Sequence, residues 1–119
     1  MRGLMATRQM LSQDFSNWEC VAFCLIREIL VGRNVYFSRS ELMSYSNLDL
    51  AIKLLALLGH KAKPKHPEET LQRTIQNLRD KGFIDFLGQG EYKLTRSGCE
   101  AVESFDAQHE LLNLLKKKG

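Results

Sequence analysis

Apolar positions recur at helical spacing through much of this chain, and the period changes to two in a single stretch. Trp18, Val21, Ala22, Leu25, Ile26 and Ile29 form the first stripe. Ser16 and Glu19 stand at the capping-box spacing before it, with Phe15 placed as a hydrophobic staple. Gly32 supplies a stop, so the pattern predicts a helix over about 16–31. Val35-Tyr36-Phe37 is a short β-type run. Ser38 and Glu41 form a second capping box, opening a short helix over about 39–45. Ser46-Asn47 reads as the next cap, followed by Leu48, Leu50, Ile52, Leu54, Leu55, Leu57 and Leu58, with Gly59 as the stop. That helix is apolar almost all round, which predicts burial on several sides.

Residues 60–67 are basic and carry two prolines, which exclude a helix or a central strand there. Pro67 suits the first position of the next helix, and Glu68 and Glu69 suit its first turn. Leu71, Ile75 and Leu78 place one face of that helix in a core, and Gly82 ends it at about residue 81. The period-two stretch follows. Residues 83–87 and 91–95 read as two strands joined by the tight turn Gly88-Gln89-Gly90. A last helix is expected over about 97–117. Residues 1–13 show no apolar period and read as a flexible arm.

Composition narrows the class without deciding it. The chain has 119 residues, enough for one domain, with 44% apolar and 26% charged side chains. The expected division is an arm over 1–13, a body over 14–96 and a C-terminal helix over 97–119. No apolar run approaches the roughly 20 residues of a membrane helix, and the start lacks a secretory h-region, so a cytoplasmic protein with no membrane partner is expected. Cys20, Cys24 and Cys99 are odd in number and contain no CxxC, which predicts reduced thiols. His60, His66 and His109 fall at no zinc-finger spacing, so neither metal nor cofactor is expected. The chain also lacks a phosphate loop, a dinucleotide fingerprint and a nucleophile motif, and no enzyme activity is expected. Net charge is +3 and sits in one segment: residues 61–96 hold eight basic and five acidic side chains, against six and five in 1–60 and three and four in 97–119. Such a surplus favours a polyanionic partner.

The order of elements is mainly α with a small β-hairpin, and it is the order of a winged helix-turn-helix with a C-terminal helix. The helix before the hairpin would then enter the major groove of double-stranded DNA. Gln72, Arg73, Gln76 and Asn77 lie largely off its apolar face and are residue types that bond base edges. Thr70 on the same helix, the loop lysines Lys61, Lys63 and Lys65, Gln89 in the turn and Lys93 on the return strand complete the candidate DNA contacts.

The stretch 69–95 also resembles the C-terminal winged-helix domain of the Dam-replacing restriction endonuclease family. The likeness rests on Leu78-Arg79-Asp80-Lys81-Gly82, the apolar run Phe83 to Leu87, and Gly88-Gln89-Gly90 with Tyr92. Tyr92-Lys93-Leu94-Thr95 with Gly98 and Ala101 is similar to the segment after the wing in MarR- and PadR-type regulators, where the following helix often builds a dimer. The resemblance implies DNA binding and a homodimer. It does not extend to cleavage, because no strand pairs carboxylates with a lysine in the nuclease pattern. The expectation is a sequence-specific DNA-binding protein acting in transcription regulation. The alternatives are a winged-helix module that binds protein, as an adaptor or phage-type inhibitor, and a DNA-targeting subunit of a separate nuclease.

Overall fold

In the computed structural model, helix α1 (Asn17–Ile29) runs through the centre of the core, and its residues Glu19 to Ile26 are all buried. The described residues are 15–30, 34–59 and 64–103. Expectations for the arm 1–13, for Lys61 and Lys63, and for the last helix beyond Glu103 lie outside them.

Both capping boxes form. The Ser16 hydroxyl accepts from the Glu19 amide at 3.1 Å, and the Glu19 carboxylate accepts from the Ser16 amide at 2.9 Å. The other oxygen of Glu19 accepts from Lys81 Nζ at 2.8 Å, although Glu19 is nearly fully buried. Its carboxylate is therefore satisfied at both ends, which a buried charge requires. Phe15, Phe23 and Phe83 meet edge-to-face with ring centroids 5.2 to 5.7 Å apart, closing the core beneath this pair. Cys20 and Cys24 are buried free thiols, one turn apart on α1. Burial pushes Cys20 up to about 11 and Cys24 up to about 12, with smaller contributions from Glu19 and from Cys20 respectively.

Strand β1 (Tyr36–Ser38) leads into helix α2 (Arg39–Leu42), shorter than the sequence predicts. Helix α3 (Tyr45–Leu57) is capped by Ser44, a correction to the expected Ser46-Asn47 cap. The reason is local: Ser44 Oγ accepts from the Asn47 amide, and the Asn47 side chain donates to the Glu41 carbonyl at 2.8 Å. Asn47 thus bridges α2 to α3 instead of starting a helix. The expected burial of α3 on several sides is also corrected. Ala51, Leu54 and Leu55 are buried, while Leu57 is half exposed. Leu48, Leu50 and Leu58 are partly buried against the core, and only Leu57 of its leucines is exposed.

Helix α4 (Pro67–Asp80) precedes strands β2 (Ile84–Gly88) and β3 (Glu91–Leu94). The short β run expected at 35–37 joins the expected hairpin, so the sheet has three strands. β1 joins β3 antiparallel, in the order β1–β3–β2. Phe37 stacks on Tyr92 across this added pairing, with centroids 5.5 Å apart. Helix α5 (Arg96–Glu103) follows β3 at once. Its Gly98 sits against the Phe83 carbonyl and Leu94, where a Cβ would collide with both. The described protein is mainly helical with a small antiparallel sheet, and none of the described helices is long and apolar enough to cross a membrane.

Candidate functional site

Helix α4 is the most polar of the long helices, and its local chemistry sets its ends. Pro67 takes the first position, where a missing N–H costs nothing. The far end closes in a Schellman arrangement: the Phe83 amide donates to the Leu78 carbonyl and the Gly82 amide to the Arg79 carbonyl, with Gly82 at φ +86°. Leu71, Thr74, Ile75 and Leu78 are buried. The buried Thr74 hydroxyl donates to the Thr70 carbonyl at 2.7 Å, so a polar residue is accepted on the core face. Arg73, Gln76 and Asn77 are left exposed on the other side.

Beside the start of this face stands the β2–β3 turn. Gly88, Gln89 and Gly90 all have positive φ, and Gln89 is the only non-glycine to do so among the described residues. The Gly90 carbonyl accepts from the Arg39 amide at 2.8 Å. That bond ties the turn to the first residue of α2, which the Ser38–Glu41 capping box holds in place. Between α4, α2 and the turn lies an open cleft of about 780 Å³.

The cleft holds three of the expected contact residues: Gln72 and Arg73 from α4, and Gln89 from the turn. It adds three that the sequence reading missed, Arg39 and Ser40 from α2 and Glu91 from β3. The Ser38–Glu41 box marks where α2 begins, but only the pairing of β1 with β3 carries Arg39 to Gln89. Glu68 and Glu69 also line the cleft, so two guanidinium groups face three carboxylates. Glu69 and Arg73, four residues apart on α4, do not pair; Arg39, Arg73, Glu68, Glu69 and Glu91 have no ion-pair partner among the described residues.

The remaining expected residues are placed less uniformly. Lys65 is exposed just before α4. Thr70 turns its hydroxyl to the His66 carbonyl at 3.2 Å. The Gln76 amide is engaged at both ends, donating to Asp80 at 3.1 Å and accepting from Arg79 at 3.3 Å. Lys93 belongs to the sheet face opposite the buried Tyr92 and Leu94, across from Tyr36 and Asp85, and is not part of the cleft. Two basic side chains at the far end of α4 have partners within the chain. Lys81 bonds Glu19, and Arg79 lies over the Phe86 ring, 4.9 Å from its centroid. Gln72 differs from all of these: its Oε1 is buried and has no hydrogen-bond partner among the described residues. Comparison with family models, with curated proteins and with solved structures gives no match to this chain.

Proposed function

We propose that this protein is a winged helix-turn-helix that binds double-stranded DNA, with α4 in the major groove and the β2–β3 turn as its wing. The observation that carries the reading is the polar face of α4, where Arg73 and Asn77 are exposed beside Gln72, flanked by Lys65 at one end and by Arg39 and Gln89 across the cleft. Helices of this width fit the major groove, and these side chains can reach bases and phosphates from it. The element order and the resemblance of residues 69–95 support the same reading. A role in transcription regulation and a C₂ homodimer built by the helix expected over 97–117 belong to this proposal; such a dimer would ask for half-sites about one helical turn apart.

A second reading has its own observation. Glu68, Glu69 and Glu91 share the cleft with Arg39 and Arg73, so the cleft has no positive surplus. A protein partner with charges of both signs would suit that surface.

One experiment separates the two. Fluorescence anisotropy is measured with mixed-sequence duplex DNA at about 50 and 200 mM salt. A protein neutralising about four phosphates loses roughly a hundredfold in affinity over that range. The expected result is such a loss, with Arg39→Glu/Arg73→Glu abolishing binding while the fold is retained. A folded protein that binds no duplex at the lower salt overturns the DNA reading and leaves the protein partner.

A further inference from the structure

We infer that Gln72 is the side chain of α4 that reads a base, and that the base is adenine. This rests on the DNA-binding reading above and makes it specific. Two glutamines stand one turn apart on the helix, and their amides are in opposite condition. Gln76 is exposed but uses both ends of its amide, one on Asp80 and one on Arg79. Gln72 lines the cleft with its Oε1 buried and without a donor.

A buried acceptor without a donor is held at a cost, and that cost is relieved as soon as a donor is offered. Rotating the Gln72 side chain out of its seat breaks no hydrogen bond at Oε1. Rotating Gln76 to meet a base breaks two. Neighbouring Arg73 has no ion-pair partner among the described residues to hold it, so it can neutralise phosphate as Gln72 turns outward.

The bond left open selects the base. Oε1 accepts and Nε2 donates, so the amide needs a donor and an acceptor side by side. In the major groove adenine presents that pair, the N6 amine beside N7. Guanine presents two acceptors and would leave Oε1 unpaired. Thymine offers an acceptor and a methyl group, and cytosine offers an amine with no adjacent acceptor.

The test is selection from a randomised duplex pool, followed by titration of the enriched site and of copies with each A·T pair replaced. The wild-type protein is expected to enrich at least one A·T pair. Gln72→Met keeps the side-chain volume and removes the amide. It is expected to lose about tenfold in discrimination at one such pair, with Tm not lowered. Gln76→Met is expected to keep the preference. Gln72→Glu, an acceptor only, is expected to move it toward cytosine. Retention of every preference by Gln72→Met, or loss of the preference in Gln76→Met, overturns the assignment. Wild-type binding with no enriched A·T pair overturns adenine reading and leaves DNA binding standing. A wild-type protein that binds no duplex removes the parent reading itself.

Discussion

The two ends of α4 face opposite kinds of surroundings. At its C-terminal end, Lys81 closes onto buried Glu19, Phe83 completes an aromatic triangle, and Arg79 lies over Phe86. At its N-terminal end, two arginines and three glutamates line an open cleft without ion-pair partners among the described residues, and Gln72 holds a buried acceptor that nothing fills. The first region is complete within the chain, and its groups hold the fold. The second leaves its polar groups uncommitted, and a ligand can supply what they lack. The contrast teaches that the two ends of one helix can differ in how far their polar groups are satisfied within the chain.

Four measurements would break or sharpen that contrast. The largest effect is expected in the complete region. Phe23 is fully buried among aromatic neighbours, and Phe23→Ala should cost about 3–5 kcal/mol, read by chemical denaturation. Gly98→Ala should cost about 1–3 kcal/mol, because α5 must move off the Phe83 carbonyl. Preserved stability in Phe23→Ala would mean that the closed region is not the core.

The next effect concerns the buried carboxylate. Glu19→Ala removes the reciprocal half of a capping box and the Lys81 bond together, and should cost about 2 kcal/mol. Lys81→Met leaves the capping box intact. It strands one oxygen of a carboxylate only 6% exposed, while Lys81 itself is 45% exposed, so its loss should cost about 1–2 kcal/mol. Equal losses in the two variants would show that the ion pair, not the cap, dominates.

In the cleft the expectation reverses. Arg39→Ala and Arg73→Ala should change stability by no more than about 0.5 kcal/mol, since neither side chain has an ion partner among the described residues. A larger loss in thermal unfolding would place these arginines in the structural half of the molecule.

The smallest effect at ordinary pH comes from the thiols. Burial raises Cys20 to about 11 and Cys24 to about 12 in the folded state, against an ordinary value of 9.0. The folded state then holds these protons more tightly than the unfolded chain does. The stabilisation is fully present below pH 9, falls as the unfolded thiols ionise, and is lost as pH rises through about 11 to 12. Near neutral pH, alkylation should modify half-buried Cys99 first and reach Cys20 and Cys24 only on unfolding. Rapid labelling of Cys24 in the folded protein would show that α1 opens locally.

Features set within a few residues are legible in the sequence. Ser16 with Glu19 and Ser38 with Glu41 start helices as their spacing predicts, because a cap is a contact between neighbours. Pro67 and Gly82 bracket α4, and Gly88-Gln89-Gly90 makes the turn, since both depend on backbone freedom at single positions. Where two local solutions competed, the spacing misled: Ser44 caps α3 because Asn47 is drawn to the Glu41 carbonyl. The short β run at 35–37 was legible, but its pairing with β3, the Glu19–Lys81 bond between residues 62 positions apart, and the tie of Arg39 to the turn at Gly90 were not. The sequence by itself determined the helices, the turn and the polar face of α4, because those follow from backbone propensity and the periods 3.6 and 2. Tertiary structure alone decided which polar groups are satisfied, because a hydrogen bond or ion pair between distant residues exists only once packing has brought its two halves together.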